Sequence, residues 1–145
     1  MNVKKLIAVI LVICFTAFLL LTSKEIVISG SMQPSITTGS LAFVNKNIKF
    51  NEIKKGDIIS YDFGNTKVIH RVVKKTEKGL ITKGDNNDNV DFGIVTKNQL
   101  NGKYLFSIPL LGYLIMFMKE YKLIFLIIII VFIVIFNKKE VRKNE

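Results

Sequence analysis

Residues 57–74 read DIISYDF (57–63), GNTK (64–67) and VIHRVVK (68–74). Two runs rich in β-branched and aromatic residues flank a Gly-Asn turn, the pattern of a β-hairpin. Strand alternation puts Val68, His70 and Val72 on one face and Arg71 on the other. Working outward, similar short apolar groups recur at Ile26–Ile28, Leu41–Asn45, Leu80–Thr82 and Ile94–Thr96. Turn residues separate them: Gly39, the Lys54–Asp57 stretch and Lys78–Gly79. No helical period of useful length runs through residues 24–103. The segment predicts a mainly β domain, residues 24–109. Its core is small, so packing on a membrane surface or on flanking segments is expected to help it.

The flanks have a different character. No charge occurs between Lys5 and Lys24, and Leu6–Leu21 is apolar except for Thr16. As a helix this stretch rises about 27 Å, close to the roughly 30 Å of a bilayer's hydrocarbon core. A cleavable leader shares the basic start and apolar run, but LLLTSKEI (19–26) lacks the small-x-small cleavage pattern. Residues 1–23 are therefore expected to be a retained transmembrane anchor, with Cys14 as a small lipid-facing hydrophobe. Toward the other end, Leu123–Phe136 is unbroken apolar and rises about 21 Å as a helix. Lys122 and Lys138 can snorkel outward and Tyr121 can sit at the interface, which covers the shortfall. The preceding apolar run, Phe106–Met118, is separated from it by Lys119, Glu120 and Lys122. One continuous span would bury those charges, at high cost. Residues 110–120 are thus expected in the membrane interface or against the domain, 121–137 as a second transmembrane helix and 138–145 as a cytoplasmic basic tail. Lys4 and Lys5 before the first span, with Lys138, Lys139, Arg142 and Lys143 after the second, keep both termini cytoplasmic and place the β domain outside.

Composition narrows the function. The chain has a net charge of +10, one cysteine and one histidine. That excludes a disulfide scaffold and argues against a dedicated zinc site. Residues 24–103 hold thirteen Lys and Arg against eight Asp and Glu, which favours anionic lipid headgroups. The lysines are scattered and arginine is scarce, so nucleic acid is not an expected partner.

Three polar clusters can carry chemistry. In SGSMQP (29–34), Gly30 permits a tight turn and Pro34 stiffens its exit, displaying Ser31 at a strand end. By itself this is also an ordinary Ser/Gly turn, and Met32 an ordinary apolar contact. His70 is the one side chain whose ordinary pKa suits proton transfer at neutral pH, although a lone histidine on an apolar face is more often a core residue. Arg71 is expected exposed or paired with an acid. In KGDNNDNVD (83–91), Asp85, Asn87 and Asn89 fit the first, third and fifth positions of a calcium loop. Val90 and Thr96 replace the glycine and bidentate glutamate that such a loop needs, so no metal is expected.

In order, SGSMQP, HRV (70–72) and KGDNN (83–87) with Asp91 beyond, behind a single anchor, resemble the type I signal peptidases. The resemblance is to their Ser–His branch, found in the endoplasmic reticulum, in archaea and in some Gram-positive bacteria. It covers roughly Ile26 to Tyr113; a lysine stands at the His70 position in the housekeeping bacterial branch. It implies a membrane-bound serine endopeptidase with Ser31 as nucleophile, His70 as general base and Asp91 as third member. Asp85 and Asp88 lie close enough in sequence that either could orient His70 instead. Ser29 and the Ser31 amide would bind the oxyanion, while Asp85, Gly30 and Gly84 would shape the site. Ile28, Met32, Ile69 and Val72 are candidate walls of a pocket for small side chains. Gln33 departs from the acid usual at that position. The implied partners are signal peptides of secreted precursors, the lipid bilayer and the translocation machinery; no cofactor is implied. Two other readings stand beside this one: an inactive membrane adaptor presenting the β domain to a partner, and a binder of anionic lipid or envelope polymer.

Overall fold

In a computed structural model the chain is described continuously over residues 21–124, and also at residues 7, 10, 13, 16, 127 and 131, each helical. The two expected transmembrane helices lie largely outside the described residues. Among the described residues, no helix is long and apolar enough to cross a membrane. The chain forms two compact units, residues 1–112 and 113–145. The sheet and the candidate site both belong to the first.

Six strands make one antiparallel sheet: β1 (Thr22–Ile26), β2 (Leu41–Asn45), β3 (Ile58–Phe63), β4 (Thr66–Thr76), β5 (Gly79–Lys83) and β6 (Leu100–Ile108). Their spatial order is β1-β2-β6-β3-β4-β5. The hairpin expected at residues 57–74 forms its fourth and fifth strands, β3 and β4. Phe63 faces Thr66 across a two-residue turn, and Gly64 takes the left-handed φ of 59° that the turn needs. From that register Ile59 lies opposite His70.

Neighbouring residues on β3 and β4 alternate between two apolar clusters, as the pleat dictates. Ile59, Tyr61 and Val72 join Ile53, Leu80 and Val95, with Val68 packed against them. Ile58 and Ile69 instead pack on Val27, Met32, Ile36 and Ala42. Burying an aliphatic side chain of this size contributes about 1.5–3 kcal/mol before entropy is counted.

Three elements depart from the sequence expectations. β1 is displaced upstream: Thr22–Ile26 pairs in full with Leu41–Asn45, and the ladder gives way to a turn in which Val27 N donates to Ser40 O at 2.9 Å. The group Ile94–Thr96 is reduced to a single bridge between Val95 and Leu80. β6 has no counterpart among the expected strands, yet it sits in mid-sheet between β2 and β3. Gly102 within it has a φ of 154°, and a Cβ there would collide with the Asn45 carbonyl. In the second unit most of α1 (Leu111–Glu120) follows, covering the segment expected at the interface, with Leu114, Met116, Phe117 and Met118 exposed.

Candidate active site

The loop after β1 is built to hold one hydroxyl in place. Met32 and Ile36 are each 1% exposed and anchor the loop in the core. Ile36 N donates to Met32 O at 2.8 Å and Gln33 N to Gly30 O at 3.1 Å, closing successive turns around Ser31. A second loop is pressed against it: Asn86 N donates to the Ser31 carbonyl at 2.8 Å. Gly84 makes that approach possible, since a Cβ there would lie 2.6 Å from the Ser31 carbonyl oxygen.

His70, mid-strand on β4 and 7% exposed, stands between a hydroxyl and a carboxylate. Its Nε2 is 2.9 Å from Ser31 Oγ, and its Nδ1 is 2.6 Å from Asp91 Oδ2. An ionised carboxylate can only accept, so Nδ1 carries the proton and Nε2 presents its lone pair to the Ser31 hydroxyl. Ser29 Oγ lies 3.2 Å from Ser31 Oγ. This arrangement can take a proton from Ser31 as its oxygen attacks an electrophile, and can stabilise the resulting imidazolium.

Of the three carboxylates the sequence left open, Asp91 is the one bonded to His70. Its own N–H donates to Thr82 O at 2.8 Å, fixing the loop to β5. Asp85 serves another partner: Arg71 Nε and Nη2 donate to its two oxygens at 2.8 and 2.6 Å. The Arg71 hydrogen bond holds the Asp85 carboxyl below its ordinary range, against the opposing effect of burial. Arg71 also donates to Gly56 O at 2.9 Å and to Ser35 Oγ at 3.3 Å, tying the Asp85 loop to the Ser31 loop. Asp88 is exposed.

A cleft of about 700 Å³ opens beside Ser31 and His70. Val27, Ile28, Met32, Ile36 and Ile69 make it apolar near Ser31, and Lys24, Glu25, Thr66 and Lys67 make it polar farther away. Ile28, Met32 and Ile69, named above as candidate pocket walls, all line this cleft. Val72 does not line it: β4 reaches the cleft with Thr66 to His70, and Val72, farther along the strand, is fully buried in the other cluster. Sequence reasoning also missed two groups. Ser60 Oγ donates to the Glu25 carboxylate at 2.7 Å beneath the polar end of the cleft. Tyr61 OH donates to Asp91 Oδ2 at 3.0 Å. The hairpin register carried a signal for Tyr61, because it places that residue on the His70 face and diagonal to it.

Residues 1–76 match the family model described as signal peptidase, peptidase S26. The chain belongs to this family. Ser31 and His70 fall inside the matched residues of this S26 signal peptidase family member, and Asp91 lies beyond them. It is similar to the signal peptidase complex catalytic subunit SEC11 of Colletotrichum graminicola, 36% identical over 110 residues, covering 66% of this chain and 63% of that protein. Signal peptidase I W of Bacillus subtilis is 39% identical over 89 residues, covering 57% of this chain and 47% of that one. The SEC11 protein of Neurospora crassa is 33% identical over 110 residues, covering 66% and 63%. The chain thus spans between about half and two thirds of the length of these relatives.

Proposed function

We propose that this chain is a membrane-bound serine endopeptidase that removes signal peptides from secreted precursors on the outer face of the membrane. The observation that carries the reading is the hydrogen-bonded run from Ser31 Oγ through His70 to Asp91, at 2.9 and 2.6 Å. Membership of the S26 signal peptidase family supports the substrate class.

In this reading Ser31 Oγ attacks the scissile carbonyl carbon while His70 Nε2 takes its proton. The Ser29 hydroxyl and the Ser31 amide hold the oxyanion, a donor of this kind being worth about 10²–10³ in rate. The C–N bond then breaks, and His70 passes its proton to the leaving amine. Water then attacks the acyl ester and gives its proton to His70, which returns it to Ser31 Oγ as the ester C–O bond breaks. Asp91 keeps the imidazole in the productive tautomer and balances its charge throughout. The extended residues before the scissile bond lie in the cleft by strand addition, with small side chains against Ile28, Met32 and Ile69. Apolar segments at residues 6–21 and 121–136 anchor the domain beside the translocation machinery, with both termini cytoplasmic.

Sequencing the N-termini of secreted proteins from cells with and without this chain tests the function. Loss of the chain should leave a set of precursors with their apolar leaders attached, and complementation with the full chain should restore the mature ends. Identical N-termini in both cell types, in the absence of any other signal peptidase, would remove the substrate class.

A further inference from the structure

Behind Asp91 the fold buries a pair of hydroxyls that the chemistry above does not use. Thr82 Oγ1 donates to Tyr61 OH at 3.2 Å, and Tyr61 OH donates to Asp91 Oδ2 at 3.0 Å. That is the same oxygen that faces His70 Nδ1 at 2.6 Å. Both hydroxyls sit in the sheet: Tyr61 is 3% and Thr82 1% exposed. Thr82 also accepts the Asp91 N–H through its carbonyl, so one residue fixes both the backbone and, through Tyr61, the carboxylate of Asp91.

We propose that Tyr61, backed by Thr82, is a positioning residue that sets the proton affinity of His70 by withdrawing charge from Asp91 Oδ2. The inference rests on reading Ser31, His70 and Asp91 as the reaction machinery. A carboxylate oxygen shared between two donors is a weaker partner to each than one that serves a single donor. The phenol restrains how strongly Asp91 stabilises the imidazolium and so keeps His70 available as a neutral base. Desolvation by burial pushes the Tyr61 phenol well above its ordinary range, against the Thr82 hydrogen bond, so it remains a neutral donor across the working pH.

Other charges reach His70 from neighbouring elements. Asp85 acts on it from the loop after β5, balanced by Arg71 on β4. Glu25 and Lys24 from β1 and Lys67 from β4 line the far end of the cleft beside it. None of them is altered by removing the Tyr61 hydroxyl.

The sign follows from Asp91. Without the phenol donor its carboxylate becomes more basic, the imidazolium is favoured, and His70 stays protonated to higher pH. His70 is the only histidine in the chain, so one imidazole signal reports it. Titrating the full chain in micelles by NMR, in a Ser31→Ala background, reads the effect without turnover. Tyr61→Phe should move the midpoint up by about half to one pH unit, roughly three- to tenfold in proton affinity. With Ser31 intact, the acidic limb of the kcat/KM profile should rise by the same amount, with kcat at neutral pH reduced and KM unchanged. Thr82→Val should shift the midpoint in the same direction by less, and Thr82→Ser should return it to the parent value. An unmoved midpoint in folded Tyr61→Phe overturns the proposal; if that variant does not fold, an unmoved midpoint in Thr82→Val does. The proteolytic reading fails separately, by cleavage that survives Ser31→Ala.

Discussion

Replacing His70 by alanine is expected to lower kcat/KM for cleavage of a secreted precursor by about four to six orders of magnitude. The size follows from what the hydroxyl loses. A serine is a poor nucleophile until its proton has somewhere to go, and the acceptor within reach of Ser31 Oγ is His70 Nε2 at 2.9 Å. In the proposed reaction the same nitrogen later protonates the leaving amine, so the substitution removes both transfers. His70 is nearly buried, and truncation leaves a ring-sized space between Ser31 and Asp91. Added imidazole should enter that space and restore part of the rate, without restoring any in a variant that also lacks Ser31. Circular dichroism of the variant should match the parent, since the apolar clusters of the sheet are untouched. A His70→Ala protein with parental kcat/KM would remove His70 from the reaction.

Asp91→Asn is expected to cost about 10⁴ in kcat with little change in the unfolding midpoint. The amide has no charge with which to stabilise the imidazolium. Where its NH₂ faces Nδ1 it also reverses the hydrogen bond, leaving Nε2 protonated and unable to accept from Ser31. Asp85→Asn provides the contrast. Asp85 neutralises Arg71, which ties it to Ser35 and Gly56. Its loss should appear first as a lower unfolding midpoint. Steady-state kinetics and thermal unfolding of the two variants together check the division. Equal rate losses with equal unfolding midpoints would show that the two carboxylates do not have separate tasks.

Much of this was readable in the residues. The hairpin at 57–74 was, because its β-branched alternation and Gly-Asn turn agree on one register. β2 was also, as a short apolar run that follows Gly39. β6 was not: Asn101, Gly102 and Lys103 interrupt its apolar pattern, and Phe106 was grouped with the apolar run that enters α1. What makes Gly102 look like a breaker is local, while the reason for it, the Asn45 carbonyl on the neighbouring strand, is 57 residues away in sequence and invisible to a periodicity argument. Ser31, His70 and Asp91 are each weak signals alone; their order along the chain carries the resemblance, and the fold brings the three side chains within hydrogen-bonding distance. The division of labour between Asp85 and Asp91 depended on which way Arg71 and His70, neighbours on opposite faces of β4, point. Alternation states that they diverge, but not which acid each meets. Val72 lies beyond the part of β4 that reaches the cleft, a limit that strand alternation alone does not reveal.

The most direct test follows the N-terminus of a secreted precursor presented in lipid vesicles to the full chain and to its Ser31→Ala variant, with product masses measured over time. The parent should release an apolar leader at a single bond that follows small residues, and the variant, equally inserted and folded, should leave the precursor whole. Release of the same leader by Ser31→Ala at a comparable rate would contradict a reaction that begins at the Ser31 hydroxyl.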